Sequence, residues 1–224
     1  MKTTKLALTA FLFAAISFCT LTSCNSDKKG KSGENSSTES AKNDDELKSF
    51  MLGGIYFENG YGGKSSTESA GSQSGTSPED LIKGYREIFI FPYKPAEGAC
   101  AKTMLSQYWD VNSKDSLMSV LDKLKTHKME SSHTKSWDYA RLVNNACMGY
   151  AAGYLTKEEA TKIIGDVLPL AKADYKTWDE YFADFAKGRN QWNAEETADK
   201  KAFDELSTSI TKGDKSIYTV LPLN

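Results

Sequence analysis

The hydrophobic positions along most of this chain follow a helical period. From Ser77 onward, apolar residues recur at intervals of three and four, the spacing that places them on one face of an α-helix. Ser77 followed by Pro78 and two acidic residues is a typical helix start. Short predicted connections indicate antiparallel neighbours, so the predicted fold class is all-α, a compact multi-helix bundle. Further helices are predicted at 97–110, 113–126, 135–154, 157–173, 177–188 and 194–211.

Two segments of the pattern are ambiguous. Residues 44–58 carry apolar side chains at roughly helical spacing behind an acidic start, and Gly53 and Gly54 interrupt them. We expect one short helix there. Residues 87–91, Glu-Ile-Phe-Ile-Phe, are compatible with a short strand before Pro92.

Local signals mark the ends of several predicted helices. Thr156 with Glu159, and Thr177 with Glu180, match the capping box, in which each side chain binds a backbone amide of the other residue. Pro169 should kink or end the helix that contains it. These signals predict where two successive helices begin and where one of them bends.

Two stretches have the composition of linkers. Residues 25–43 contain Ala41 as the one apolar residue, and Gly, Ser and Thr dominate residues 60–77. Such segments cannot bury enough apolar surface to offset the entropy of ordering. The hexapeptide Ser-Ser-Thr-Glu-Ser-Ala occurs in both, at 36–41 and 65–70, and we interpret it as linker sequence. The predicted organisation is a disordered tether at 24–43 and a helical domain at 44–224 with a low-complexity insertion at 60–77.

The N-terminus is organised like an export signal. A short basic region precedes an apolar stretch from Leu6 to Cys19, which has the length of a signal h-region and is too short to span a membrane. The residues from Leu21 to Cys24 then resemble the lipobox of bacterial lipoproteins. The resemblance implies that residues 1–23 are a lipoprotein signal peptide and that Cys24 is lipidated, with acyl chains such as palmitate. A plain secretory signal or an uncleaved anchor is the alternative.

Lipidation would attach the protein to a membrane that it does not span. Each buried CH₂ contributes about 0.8 kcal/mol, so two or three acyl chains give effectively permanent attachment. We expect a bacterial cell-envelope location, the outer membrane rather than the inner, with the domain outside the cytoplasm.

The chain has 28 basic and 30 acidic residues, a net charge of −2. Loss of residues 1–23 removes two Lys, so the remaining chain has 26 basic and 30 acidic residues, a net charge of −4. This balance excludes a bulk electrostatic nucleic-acid binder.

Two cysteines remain after the signal is removed and Cys24 is lipidated. Cys100 and Cys147 would lie in a compartment that permits disulfides. Both also have small apolar neighbours in predicted helices, where an unbridged Cys packs as a small hydrophobe. The sequence leaves both alternatives open.

Three potential metal ligands occur close together. His127, Glu130 and His133 are spaced by three, so on one continuous helix they could meet a metal ion. They flank Ser131 and Ser132 between two predicted helices, which favours a solvated loop. We therefore predict no metal, no cofactor and no catalytic residue.

The most informative polar pattern lies in the helix predicted at 135–154. This helix is apolar almost all round, which indicates a central, buried position. Asp138, Arg141 and Asn145 occupy positions i, i+3 and i+7 and so share one face. An unpaired buried charge is costly, so the stripe should form an internal ion pair and hydrogen-bond network. The alternative is a pocket in which Arg141 receives a small anionic ligand or a carboxylate of a protein partner.

A stripe of aromatic side chains follows in the helix predicted at 177–188. Its members are Trp178, Tyr181, Phe182 and Phe185, and Trp192, beyond the predicted end of the helix, is a candidate for a fifth. Such stripes usually belong to a core, and a surface for a cofactor or a partner is the alternative. The candidate binding residues are therefore Asp138, Arg141, Asn145, Trp137 and Trp178.

Several motifs occur in a fixed order between residues 100 and 192. They are Gln107–Val111, Ser113–Leu117, Leu121–Leu124, Trp137-Asp138-x-x-Arg141, Gly149–Ala160, Thr177-Trp178 with Tyr181, and Gly188-Arg189 followed by Trp192. In this order they resemble the bacterial domain of unknown function 1266. The chain departs from the family at Thr177, where Ser is usual, and by one extra residue before Trp192. The family has no established activity, so the resemblance implies the fold and no catalytic residue.

These patterns favour a lipid-anchored envelope protein of unknown biochemical activity that presents a helical binding or interaction domain. The chain has two His and no recognisable nucleophile–base set, which favours binding over catalysis. Two alternatives stay open. One is an enzyme with a carboxylate and Arg141 pocket, and the other is an immunity-like protein that binds a secreted toxin.

Overall fold

The computed structural model describes residues 44–224, and in this range the chain forms twelve α-helices and one 3₁₀ turn without a β-strand. The all-α prediction is confirmed. The elements are α1 Asp45–Met51, α2 Gly54–Gly60, α3 Lys64–Gly71, α4 Pro78–Phe89, the 3₁₀ turn Pro95–Glu97, α5 Gly98–Trp109, α6 Lys114–Lys125, α7 Lys135–Ala151, α8 Lys157–Gly165, α9 Leu168–Asp174, α10 Trp178–Trp192, α11 Ala198–Ser209 and α12 Ile217–Val220.

Helices α1 and α2 occupy the segment for which one helix was predicted. At the break between the two helices, the carbonyls of Met51 and Leu52 accept hydrogen bonds from buried tyrosines. The Tyr218 hydroxyl donates to the Met51 carbonyl and the Tyr181 hydroxyl to the Leu52 carbonyl, each at 2.9 Å. Gly54 permits this approach, because a Cβ there would lie 1.9 Å from the Tyr218 hydroxyl oxygen.

The short strand predicted at 87–91 is wrong, because α4 continues through Phe89. Leu81, Tyr85 and Phe89 are spaced by four and at most 1% exposed, so the apolar pattern continues one helical face. The helix ends at Ile90, before Pro92. A lone strand would leave its backbone groups unpaired, whereas the helix satisfies them internally.

The structure also differs from the prediction of a linker at 60–77. Helix α3 lies in this segment and packs against α4. Thr67 is fully buried, and Gly71 lies so close to Gly84 that a Cβ on Gly84 would be 1.9 Å from the Gly71 carbonyl oxygen. Packing on α4 therefore orders a sequence of low helix propensity.

Helix α7 is the centre of the fold, as its apolar sequence predicted. It is buried along nearly its whole length and packs against α2, α5, α6, α8 and α10.

The helix predicted at 157–173 is two helices, α8 and α9, because Pro169 lies in the first turn of α9. The capping box of Thr156 and Glu159 is formed, whereas the Glu180 carboxylate accepts from the amide of Lys176 rather than that of Thr177.

The described cysteines are not joined. Cys100 is exposed on α5 and Cys147 is buried in α7. Burial raises the pKa of the Cys147 thiol well above its ordinary value.

Within residues 44–224, no helix has the length and apolar character needed to cross a membrane. The predicted signal at 1–23, the lipid-bearing Cys24 and the tether at 24–43 lie outside the described residues.

Candidate functional site

Asp138 and Arg141 pair with each other in the interior. The Asp138 side chain is fully buried and that of Arg141 is 7% exposed. Their positions on α7 bring one guanidinium nitrogen of Arg141 onto Asp138 Oδ1. The second oxygen of Asp138 lies 2.9 Å from Nδ1 of His127. The buried carboxylate therefore has a partner on each oxygen.

Arg141 is also held from two other directions. Its Nη1 donates to the Ser131 hydroxyl at 2.9 Å, and its guanidinium carbon lies 3.6 Å from the centroid of Trp137 and 5.7 Å from that of Trp109. This is cation–π geometry. Nε of Arg141 is buried with no hydrogen-bond partner among the described residues. The hydrogen bonds of Nη1 and Nη2 and the contact of the guanidinium with the Trp137 ring hold the side chain in place.

The predicted loop is confirmed, and Glu130 and His133 are exposed in it, whereas the side chain of His127 is only 25% exposed. The backbone of His127 is left-handed, with φ +57°, and its ring lies edge-on to that of Tyr139 on α7, with a centroid distance of 5.1 Å. Besides its contact with Asp138, its Nε2 lies 3.3 Å from the Tyr139 hydroxyl, which donates to Asp174 at 2.7 Å. Burial, together with the bond to Asp174, raises the pKa of Tyr139.

An imidazole held by a buried carboxylate can act as a general base when its other nitrogen faces a substrate. In this structure Tyr139 occupies that second nitrogen of His127. The arrangement therefore serves to fix the loop before α7 onto the helix. Within the described residues, no group of three His, Cys, Asp or Glu side chains is placed to hold a metal ion.

Asn145 does not join this network. It is fully buried, and neither atom of its amide has a hydrogen-bond partner among the described residues. The predicted stripe therefore divides into a paired part, Asp138 and Arg141, and an isolated amide one turn further along α7. The helical spacing identified the shared face correctly but could not show where the partners lie.

Trp137 connects the buried pair to the surface. One ring face lies against Arg141, and the ring also contacts His133 and Trp192, with centroid distances of 6.0 Å and 5.7 Å. Trp137 itself is 3% exposed, whereas Trp192 is 42% exposed. We call His133, Trp137 and Trp192 the Trp192 surface.

Trp178 lies in a different part of the core. Its Nε1 donates to the Leu221 carbonyl at 2.8 Å, and its ring packs against Tyr181, Phe182 and Tyr218. It is 4% exposed. The structure thus brings Asp138, Arg141 and Trp137 together and places Trp178 elsewhere.

A second arginine is buried in the domain, which its place in the family motif did not predict. Arg189 of α10 is 5% exposed and pairs with Asp199. Burial raises the pKa of the Tyr56 hydroxyl, and the charges of Arg141 and Arg189 both oppose that shift. Arg189 follows Phe185 by four positions, so the two side chains share one face of the helix. A charged residue on an apolar face could have indicated that Arg189 is buried, as it did for Arg141.

A groove between α6 and α8 is a further concave surface that the sequence did not predict. It has a volume of about 390 Å³, and its floor is apolar. Ion pairs across it join Lys114 to Glu159 at 2.5 Å and Lys125 to Asp166 at 3.8 Å. The apolar side chains that line it are Met118, Leu121, Leu142, Leu155 and Ile163. None of the predicted binding residues lines this groove.

One family model matches the chain, over residues 125–223, and its description is "Protein of unknown function (DUF1266)". The matched range begins later and ends later than the predicted range of about 100–192, and it covers α7 to α12 with the loop before them. No curated protein and no solved structure matches the chain. Residues 125–223, which hold Asp138, Arg141 and the Trp192 surface, thus form a domain that resembles the DUF1266 family of unknown function.

Proposed function

We propose that this protein is lipid-anchored to the bacterial cell envelope through Cys24 and that its helical domain is a binding module. The anchor rests on the order of a basic region, an apolar stretch and the residues Leu21-Thr-Ser-Cys24. Nineteen residues lie between Cys24 and Asp44, the N-cap of α1. Fully extended, such a segment reaches about 65–70 Å, so the domain could contact partners well above the membrane surface.

The observation that supports the binding role is an exposed tryptophan that packs on a buried, immobilised aromatic ring. Trp192 is 42% exposed and lies against Trp137, which is held in turn by the guanidinium of Arg141. Exposed aromatic side chains with little freedom lose little entropy on binding and are enriched at the centres of interfaces. The recognition surface is therefore the Trp192 surface, and its partner is a protein.

In this proposal Asp138 and Arg141 support the surface rather than contact the partner. The two charges pair with each other in the interior, so the guanidinium of Arg141 is not presented to an anionic ligand at the surface. Their role is to fix Trp137, and through it Trp192. This supports the interaction module over an enzyme that uses an Arg141 pocket.

The anchor is tested by metabolic labelling with radioactive palmitate. Cys24→Ser should abolish the label and release the protein from the membrane fraction. Cys19→Ser is the matched control, because Cys19 lies in the apolar stretch of the same signal, and it should keep the label. A label that persists in Cys24→Ser would refute lipidation at Cys24.

The binding surface is tested by site-specific photo-crosslinking in intact cells. A photoreactive phenylalanine at position 192 should give a discrete adduct with one protein. The same residue at position 170 is the control, since Leu170 is 36% exposed on α9. The adduct at 192 should weaken in a His133→Ala background. Equal adducts from both positions, or none from 192, would contradict the proposal.

A further inference from the structure

Glu58 is a buried carboxyl group without a full set of partners. It lies in the last turn of α2 and is 1% exposed. Its Oε2 has no hydrogen-bond partner among the described residues. A carboxylate left in this position would lack solvation, so the site favours the protonated acid.

Helix α3 is the element that follows Glu58 and packs beside it. The turn between them contains Gly62 and Gly63, with φ of +92° and +96°, and the Gly63 amide donates to the Glu58 carbonyl at 2.7 Å. At its other end α3 is followed by Gly75, with φ of +146°. Glycine carries little penalty in these conformations, so the short helix is attached at both ends by segments that can change direction.

Helix α3 is held on α4 and α2 through small side chains rather than through large apolar ones. Thr67 is buried, Gly71 lies against Gly84 and the ring of Tyr85, and Lys64 pairs with Glu68 on the helix itself. The helix has eight residues and a polar sequence, so it does not persist without tertiary contacts. Short polar helices of this kind are among the elements that can open locally without unfolding the core.

The charged and titratable groups that face Glu58 come from three elements. Lys64 and Glu68 lie on α3, Tyr85 on α4 and Tyr218 on α12. Burial raises the pKa of the Glu58 carboxyl to about 8; the charge of Lys64 acts against this shift and that of Glu68 adds to it. The phenols of Tyr85 and Tyr218 stay protonated below pH 10, because burial raises both of their pKa values.

We infer that α3 is a strap that opens as pH rises, with the buried carboxyl of Glu58 as the group that drives the opening. When α3 lifts, water reaches Glu58 and the acid O–H bond breaks, so that the proton passes to solvent and the carboxylate stays on the protein. Opening is thus linked to the release of one proton. Between the ordinary pKa of an exposed Glu and about pH 8, the opening equilibrium should rise about tenfold for each pH unit, and it should level off above that.

The test is amide hydrogen exchange of the full chain between pH 5 and pH 9, with the intrinsic pH dependence of exchange divided out. In the wild type, protection of the amides in Lys64–Gly71 should fall about tenfold per pH unit up to pH 8. Protection in α7 and α8 should not fall in parallel, because the core stays folded. Glu58→Gln keeps the shape of the side chain without its charge, and its α3 protection should be independent of pH.

A matched control is Glu68→Gln, which removes the partner of Lys64 on α3. It should lower α3 protection at every pH. The slope set by Glu58 stays, but it should level off at a lower pH than in the wild type, because the charge of Glu68 no longer raises the pKa of Glu58. A flat wild-type profile, the same slope in Glu58→Gln, or a parallel loss of protection in α7 would each overturn the strap. None of these outcomes depends on lipidation or on the Trp192 surface.

Discussion

The guanidinium of Arg141 lies 3.6 Å from the ring centroid of Trp137, four residues before it on α7, while pairing with the fully buried Asp138. A single side chain thus neutralises an interior charge and supports an aromatic ring that touches the exposed Trp192. The stability of the core and the order of the proposed binding surface therefore depend on the same residue.

Arg141→Ala should destabilise the domain strongly. It leaves Asp138 buried without its cation, and removal of one member of a buried pair typically costs about 3–5 kcal/mol. Urea denaturation followed by circular dichroism measures this loss. The double variant Asp138→Asn/Arg141→Met should be more stable than Arg141→Ala, because no unpaired charge remains. A loss below about 0.5 kcal/mol for Arg141→Ala would show that water reaches Asp138.

The two histidines of the loop before α7 should respond differently to replacement. His127→Gly removes the bond to the buried Asp138 carboxylate and should cost about 1.5–3 kcal/mol, the range for hydrogen bonds to charged groups. His127→Ala should cost somewhat more, because φ of +57° suits Gly better than Ala.

His133→Ala is the matched control for this pair of variants. His133 is exposed and contributes a ring contact to Trp137 rather than a bond to a buried charge, so its removal should cost less than about 1 kcal/mol. Thermal melts of the three variants rank the losses. Equal effects at positions 127 and 133 would mean that the contact of His127 with Asp138 contributes no stability.

Local signals in the sequence were sufficient where the partners are close along the chain. The capping box of Thr156 and Glu159 spans three residues, and the pair of Asp138 and Arg141 spans one turn of a helix already recognised as buried. Both could be inferred from spacing alone.

Tertiary contacts decided the parts that the sequence did not predict. Helix α3 exists because Gly71 meets Gly84, thirteen residues later, and composition carries no sign of that contact. His127 contacts Asp138 from a left-handed backbone, for which its residue type gives only a weak preference. The Trp192 surface joins the first turn of α7 to the last turn of α10, which only the packing of the two helices determines.

The contact between α3 and α4 can be tested with a pair of glycines. Gly84→Ala would place a Cβ 1.9 Å from the Gly71 carbonyl oxygen, a backbone atom that cannot rotate away. It should cost about 1–3 kcal/mol and displace α3. Gly165→Ala on α8 meets nothing within 4 Å and should be neutral or stabilise by up to about 1 kcal/mol. Equal stabilities of the two variants in urea would mean that α3 does not sit against α4 in solution.

Glu58 should make the free energy of unfolding fall as pH rises. Burial raises its pKa in the folded state to about 8, whereas the unfolded chain has an ordinary Glu, so the folded state binds the extra proton between these values. Its stabilising effect is complete below about pH 4 and is lost progressively up to pH 8, on the order of 4 kcal/mol in total. Urea denaturation at a series of pH values measures the slope.

Glu58→Gln should remove this slope and should therefore be more stable than the wild type near pH 8. If α3 opens as a strap, the folded state can release the proton without unfolding, so the loss of global stability should stop at the pH at which α3 loses its protection. A wild-type slope that continues to pH 8 while α3 stays protected would assign the proton to Glu58 but reject local opening. Identical pH profiles for the wild type and Glu58→Gln would show that water already solvates this carboxyl group in the folded protein.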